Sequence, residues 1–327
     1  MSVPAPNLYP DFNTLRLSHA CLNVKDLTAS KTFYTEILGF DVTDETDSHL
    51  YLRAMEERGH HCLILKKSDD PGTVEVMGFK VFDDADLDRA ETYFKNKGRP
   101  VSWVDRPYQG RTLLTTDNMG IPLEFYHAMD RLPSIHQSYA KYRGVKPLRI
   151  DHFNVFSTDV DASVAFYNDI GFRTTEYTED AKTGLLWAAW MHRKGGVHDM
   201  AFTNGTGPRM HHVAFWVPTP LNIIDLLDLM ATTGYVDNIE RGPGRHGISN
   251  AFFLYILDPD GHRIEIYCSD YQTVDPDLEP IKWDLTDPQR QTLWGAPAPR
   301  SWFEHGSCFV GVDSKKSGMQ ASPIIAP

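Results

Sequence analysis

The sequence predicts an α+β protein made of four βαβββ modules paired into two domains, and three observations carry that prediction. Residues 15–19 read LRLSH and residues 148–152 read LRIDH, about 133 residues apart. The landmarks after each copy recur in the same order, which marks an internal duplication. Within each half the pattern of strand, helix and several strands occurs twice, so modules begin near Leu15, Val74, Leu148 and Met210.

Taken in order, the elements support this frame. After His19 the aromatic pair Phe33-Tyr34 precedes Leu38-Gly39-Phe40; after His152 the pair Phe166-Tyr167 precedes Ile170-Gly171-Phe172. Each pair is expected on an amphipathic helix that the glycine stops. The second module of each half opens with a strand, VEVMGFKV at 74–81 and HHVAFWV at 211–217, followed by a helix from about Ala85 or Leu221. Each half closes with TTDNMGIPLEFY at 115–126 or ILDPDGHRIEIY at 256–267. Both read as an Asp-Gly turn and an alternating strand with one glutamate, so Glu124 corresponds to Glu265. The expected domains are residues 1–147 and 148–271. The tail, 272–327, holds Trp283, Trp294 and Trp302 among many prolines. It is expected to pack over the second domain as a cover, with its last ten or so residues disordered.

Composition limits the function. With 41% hydrophobic and 23% charged residues the chain can bury a large core. A net charge of −12 argues against nucleic acid or an anionic membrane as partner, because phosphates need a basic surface. No run of eighteen apolar residues and no basic-then-apolar leader occurs, so a cytoplasmic location is expected. Cys21, Cys62, Cys268 and Cys308 form no close pair and read as reduced thiols.

The two halves differ in one informative way. Aligning them puts His152, His212 and Glu265 opposite His19, Val76 and Glu124, so only the second half keeps three candidate ligands. Two imidazoles and a carboxylate suit divalent iron or manganese and leave coordination sites open; a structural zinc site wants a fourth ligand. Taken singly, each of these residues reads as a satisfied core polar group. A glutamate within RIEIY, however, costs several kcal/mol to bury unless a cation or donor compensates it. Adjacent strand residues face opposite sides, so one of His211 and His212 faces the metal, and periodicity does not choose between them.

The segments RIDHFN (149–154), WMHRKGGVHD (190–199), RMHHVAF (209–215), RGPGRHGISNAFFLY (241–255) and DPDGHRIEIY (258–267) together resemble the type I extradiol dioxygenases. Within that family they are most similar to the homoprotocatechuate 2,3-dioxygenase branch. The resemblance implies the vicinal oxygen chelate (glyoxalase/bleomycin-resistance-like) fold. It implies a metal held by His152, His212 and Glu265, with Fe(II) or Mn(II) as cofactor. It further implies His198 as acid-base group on the last strand of the third module, and Tyr255 as hydrogen-bonding partner. Asn154, Trp190 and Ile248 are implied to line the pocket, and Arg241 and His246 to hold a substrate carboxylate. Where the family has consecutive arginines, the second of which reaches the carboxylate, this chain reads Gln289-Arg290-Gln291, so Arg290 either takes that role or is structural. The implied reaction is cleavage of 3,4-dihydroxyphenylacetate by O2 to 5-carboxymethyl-2-hydroxymuconate semialdehyde, in a homotetramer. Two other readings share the fold: a 4-hydroxyphenylpyruvate-type dioxygenase, and a ligand-sequestering protein that needs no triad. The RGPGRHG segment with His198 and Tyr255 favours the extradiol reading over the 4-hydroxyphenylpyruvate-type enzyme, and absence of bound transition metal would favour the sequestering protein.

Overall fold

Four βαβββ modules follow one another along the chain. The computed structural model describes residues 3–318, so the end expected to be disordered lies almost wholly outside the described residues. The first half contains β1 (Thr14–Val24), α1 (Leu27–Thr32), β2 (Asp41–Glu45), β3 (His49–Arg53) and β4 (Leu63–Lys67). It continues with β5 (Thr73–Val81), α2 (Ala85–Asn96), β6 (Ser102–Val104), β7 (Thr112–Thr116) and β8 (Pro122–Tyr126). The second half repeats the order with β9 (Arg149–Ser157), α3 (Val160–Asp169), β10 (Arg173–Glu179), β11 (Leu186–His192) and β12 (Met200–Asn204). Its second module is β13 (Arg209–Trp216), α4 (Pro220–Thr232), β14 (Ile239–Arg245), β15 (Phe252–Leu257) and β16 (Arg263–Cys268).

Pairing is also duplicated. The strands β1 and β5 run antiparallel, as do β9 and β13, and each such pair joins the two modules of its half. Parallel ladders β1–β4 and β5–β8 in the first half match β9–β12 and β13–β16 in the second. The register confirms the alignment of ligands. Cys21 lies opposite Val76 where Asn154 lies opposite His212, and Gly78 lies opposite Glu124 where Ala214 lies opposite Glu265.

Local chemistry sets the helix ends. Asp26 and Asp159 cap α1 and α3 by accepting backbone N–H groups of the first turn. Gly39 and Gly171 stop the two aromatic-bearing segments at φ +85° and +89°, a region that disfavours side chains. A Cβ on Gly39 would lie 1.9 Å from the Arg143 carbonyl oxygen. One expectation needs correction: Phe166-Tyr167 lies on α3, but Phe33-Tyr34 lies on a π-turn, Phe33–Ile37, that extends α1. The wider turn lets the Leu38 N–H donate to the Phe33 carbonyl five residues back.

The repeats also lock to each other. Tyr34 donates to Asp258 of the other half at 2.9 Å, and its counterpart Tyr167 donates back to Asp117 at 3.4 Å. Both aspartates hold the same turn, Asp117 through the N–H groups of Met119 and Ile121, Asp258 through those of Asp260 and His262. Ring contacts Phe40–Phe215 and Phe79–Phe172 continue the shared core, joining the first module to the fourth and the second to the third. The tail adds β17 (Ile281–Asp284) beside β10, β18 (Trp294–Gly295) beside β14, α5 (Arg300–Glu304), and β19 (Ser307–Phe309) between β13 and β5. Among the described residues no helix is long and apolar enough to cross a membrane.

Candidate metal centre and its cavity

Three strands of the second half bring the triad together: His152 from β9, His212 from β13 and Glu265 from β16, all buried. The Nε2 atoms of His152 and His212 lie 3.1 Å apart, and each lies 2.9 or 3.1 Å from Glu265 Oε2. Ligands about 2.1 Å from a common ion are about 3.0 Å apart at right angles and about 3.4 Å apart at tetrahedral angles. The observed edges fit one octahedral face, which suits iron or manganese with open positions better than tetrahedral zinc. Burial alone would raise the Glu265 carboxyl; the two imidazoles against it outweigh burial and hold it well below the carboxylate range. The site is therefore built around a carboxylate that stays negative.

Backbone and side-chain acceptors fix which imidazole nitrogen is free. His152 Nδ1–H donates to Asp151 Oδ2 at 3.0 Å, leaving Nε2 as the lone pair facing the centre. For His212 the arrangement is a relay: His211 Nε2–H donates to the Trp302 carbonyl at 2.9 Å, so its Nδ1 accepts. That Nδ1 lies 2.6 Å from His212 Nδ1, which must then carry the proton and leave Nε2 free. A bulge in β13 between Met210 and His212 lets both adjacent histidines reach this region. Asp151, His211 and Trp302 thus orient the two candidate ligand imidazoles, and the sequence reading missed all three in that role. The doubled histidine was the only signal available for His211, and strand alternation argued against it.

Around the triad a cavity is lined by Asn154, Trp187, Trp190, His198, Thr203, His246, Ile248, Tyr255, Arg290, Gln291 and Trp302, among others. The His198 ring lies tilted by 39° against His152 at 3.8 Å between centroids, and burial followed by His152 pushes its pKa well below the imidazole range. His198 lies in the 193–199 turn ahead of β12, not on that strand as expected. The turn exists because Asp199 accepts from the N–H groups of Arg193 and Lys194, while Lys194 Nζ donates to the His198 carbonyl. Asn154 accepts from Thr203 at 3.2 Å.

At the other end His246 Nδ1–H donates to the Gln291 carbonyl, so its Nε2 accepts the Tyr255 O–H at 3.0 Å. Burial and then Arg241 bring His246 down to about 3, and burial raises Tyr255 well above the phenol range. Both are neutral near pH 7. Arg241 does not line the cavity; it sits behind His246 and Tyr255, stacked on Trp302 at 4.5 Å, with Nη2 donating to Gln291 and Thr292. Among the described residues its buried Nε and Nη1 have no hydrogen-bond partner.

The first half pairs the matching positions differently. His19 Nε2 binds Glu124 Oε1 directly at 2.6 Å, and Arg106 Nε takes Oε2 at 2.8 Å, so a guanidinium supplies the compensating charge. The His19 ring lies over Gly78, where a Cβ would meet it at 2.2 Å, while a cleft of about 510 Å³ remains beside it. Burial alone would raise Glu124, but His19 and Arg106 outweigh it and lower its pKa to about 2. A depressed carboxyl stabilises the fold above its unfolded value and loses that contribution as pH falls through the folded value. The window here runs from about 4.5 down to about 2, and the contribution is on the order of 3 kcal/mol. Arg106→Met is therefore expected to lower stability at pH 7 by about 1–3 kcal/mol and move acid unfolding to higher pH. Adding Glu124→Gln should recover most of the loss. Circular dichroism melts at several pH values check both.

Comparison with known proteins agrees with this geometry. The profile of the Glyoxalase/Bleomycin resistance protein/Dioxygenase superfamily matches residues 16–125 and 149–266. The chain is 30% identical over 298 residues to a manganese-dependent 2,3-dihydroxybiphenyl 1,2-dioxygenase from Geobacillus genomosp. 3, covering 86% of this chain and 94% of that one. It is 30% identical over 315 residues to a metapyrocatechase from Geobacillus stearothermophilus, covering 91% and 95%. A solved structure of homoprotocatechuate 2,3-dioxygenase from Brevibacterium fuscum, in complex with 3,4-dihydroxyphenylacetate, superposes with a TM-score of 0.90 at 41% identity, covering 96% and 99%. Enzymes of this kind use Fe(II) or Mn(II), the ions that the His, His, Glu face fits. The chain belongs to the Glyoxalase/Bleomycin resistance protein/Dioxygenase superfamily and is an extradiol ring-cleaving dioxygenase of the vicinal oxygen chelate fold.

Proposed function

We propose that the catechol cleaved by this dioxygenase carries a carboxylate side chain, with 3,4-dihydroxyphenylacetate opened between C2 and C3 to 5-carboxymethyl-2-hydroxymuconate semialdehyde. The observation that carries this reading is Arg241. Among the described residues this buried guanidinium has no acid partner, and its Nε and Nη1 nitrogens make no hydrogen bond, behind the His246 end of the cavity. Burial lowers its pKa only to about 10, so it is charged at neutral pH and favours an anion at that end. Arg290 lines the same cavity and is likewise lowered to about 10. His246 adds a hydrogen-bonding group but no charge.

When bound, the divalent ion supplies Lewis-acid charge to the two catechol oxygens and the redox link to dioxygen. Glu265 neutralises part of that charge and leaves the centre attractive to an anionic ring. His198, neutral and beside His152, is placed to take a catechol proton and return it later in the reaction. Tyr255 stays protonated and can turn its O–H from His246 toward a ligand oxygen. Trp190 and Ile248 form an apolar wall, and Trp302 from the tail helps to exclude water.

Arg241→Ala removes the cation behind the His246 end of the cavity and is expected to lower kcat/KM on the acid by about tenfold or more. Unsubstituted catechol should lose far less. Steady-state rates on both substrates decide: a parallel loss means that Arg241 only secures Gln291 and Thr292. A wild-type preference for uncharged catechols would remove the substrate proposal and leave ring cleavage standing. The homotetramer and the cytoplasm complete the reading, on the family resemblance and on four free cysteines; light scattering near four times 37.1 kDa tests the assembly.

A further inference from the structure

Glu176 on β10 is fully buried, yet no lysine or arginine among the described residues compensates its charge. Three neutral donors take its place. Oε1 accepts from the Ser249 N–H at 2.7 Å and from the Tyr271 O–H at 2.6 Å, and Oε2 accepts from the Trp283 indole N–H at 2.6 Å. These donors come from the 246–250 loop, the segment after β16, and the tail strand β17. An apolar side chain would fill the same space at lower desolvation cost, so the carboxylate is better explained by what it holds than by stability.

What it holds is the cavity wall. Ile248 and Ser249 line the cavity, and Trp283 packs against the cluster of Trp187, Trp190 and Ile248. Ser249 and Asn250 sit at φ +56° and +55°, a conformation that costs non-glycine residues about 1 kcal/mol or more each and persists only when held. Loop and tail meet closely at Gly247, whose N–H donates to Gln289 and where a Cβ would lie 2.5 Å from that carbonyl and 2.9 Å from the Trp283 ring. The next tail residues, Arg290 and Gln291, reach the cavity.

We propose that Glu176 is a positioning residue of the substrate pocket, a clasp that fixes the 246–250 loop and the tail strand as one wall. This rests on reading the cavity as the catechol pocket. Glu176→Gln keeps one oxygen for Ser249 and Tyr271 but turns an amide N–H₂ onto the Trp283 N–H, setting donor against donor. In metal-loaded enzyme the expected result is about a tenfold rise in KM for 3,4-dihydroxyphenylacetate with kcat changed by less than about threefold. Metal content should match wild type, and limited proteolysis within 272–299 should be faster. Adding Trp283→Phe removes the opposed donor and should recover part of both changes. Unchanged KM and proteolysis would overturn the proposal, as would loss of metal or of kcat at unchanged KM. If the wild type cleaves no catechol, the functional reading fails by itself, and proteolysis of the variants still decides the clasp.

Discussion

Glu265→Gln is expected to weaken metal binding by more than about 100-fold, since neighbours that merely orient a ligand already account for 10–100-fold. Ring cleavage should vanish with the metal. The carboxylate is the only anionic member of the triad, and its Oε2 is the atom nearest both imidazole Nε2 groups. A glutamine offers a neutral oxygen, or turns an N–H₂ into the centre. Glu124→Gln, at the matching position of the first half, should leave metal content at about one ion per chain, because Arg106 occupies the compensating role there. Elemental analysis for iron and manganese after dialysis makes the comparison. Two ions per wild-type chain, or equal losses from both variants, would mean that the halves have been assigned wrongly.

Much of this molecule is legible in its sequence because it is written twice. Strand and helix signals that would be ambiguous once are secured by recurrence, and the odd residue out, Val76 against His212, points to the half that keeps all three candidate ligands. The register of β5 on β1 and of β13 on β9 bears that comparison out. Features with no counterpart in the repeat are harder to read. The π-turn at Phe33–Ile37 depends on a single extra residue of backbone, which side-chain periodicity does not record. His198 precedes its strand because Asp199 and Lys194 build a turn from their own side chains.

Long-range relations were out of reach for a different reason. The proton on His212 is placed by His211, and that of His211 by a carbonyl 91 residues further along the chain. Arg241 and His246 lie five residues apart in one turn, which suggested two charges side by side. In the fold, burial keeps His246 neutral and leaves Arg241 behind it as the charged member. Spacing alone says nothing about which of two neighbouring basic groups is desolvated enough to lose its proton.

His198→Phe is expected to lower kcat by about 10²- to 10⁴-fold while metal content and catechol affinity stay near wild type. Phenylalanine keeps a flat ring to pack against His152, where the rings now meet at 3.8 Å and 39°, so the ligand should hold its orientation. What is lost is a nitrogen able to carry a proton. Burial and the neighbouring His152 push the His198 pKa well below 6.5, so the resting imidazole is neutral with a lone pair open to a catechol hydroxyl. Tyr255 cannot substitute for it. Its phenol is raised well above 10 by burial and gives up no proton near neutrality, which confines it to hydrogen bonding. Single-turnover rates, metal analysis and anaerobic catechol titration separate the possibilities. Loss of metal would make the ring a structural support for His152, and an unchanged kcat would mean that protons leave the catechol by another route.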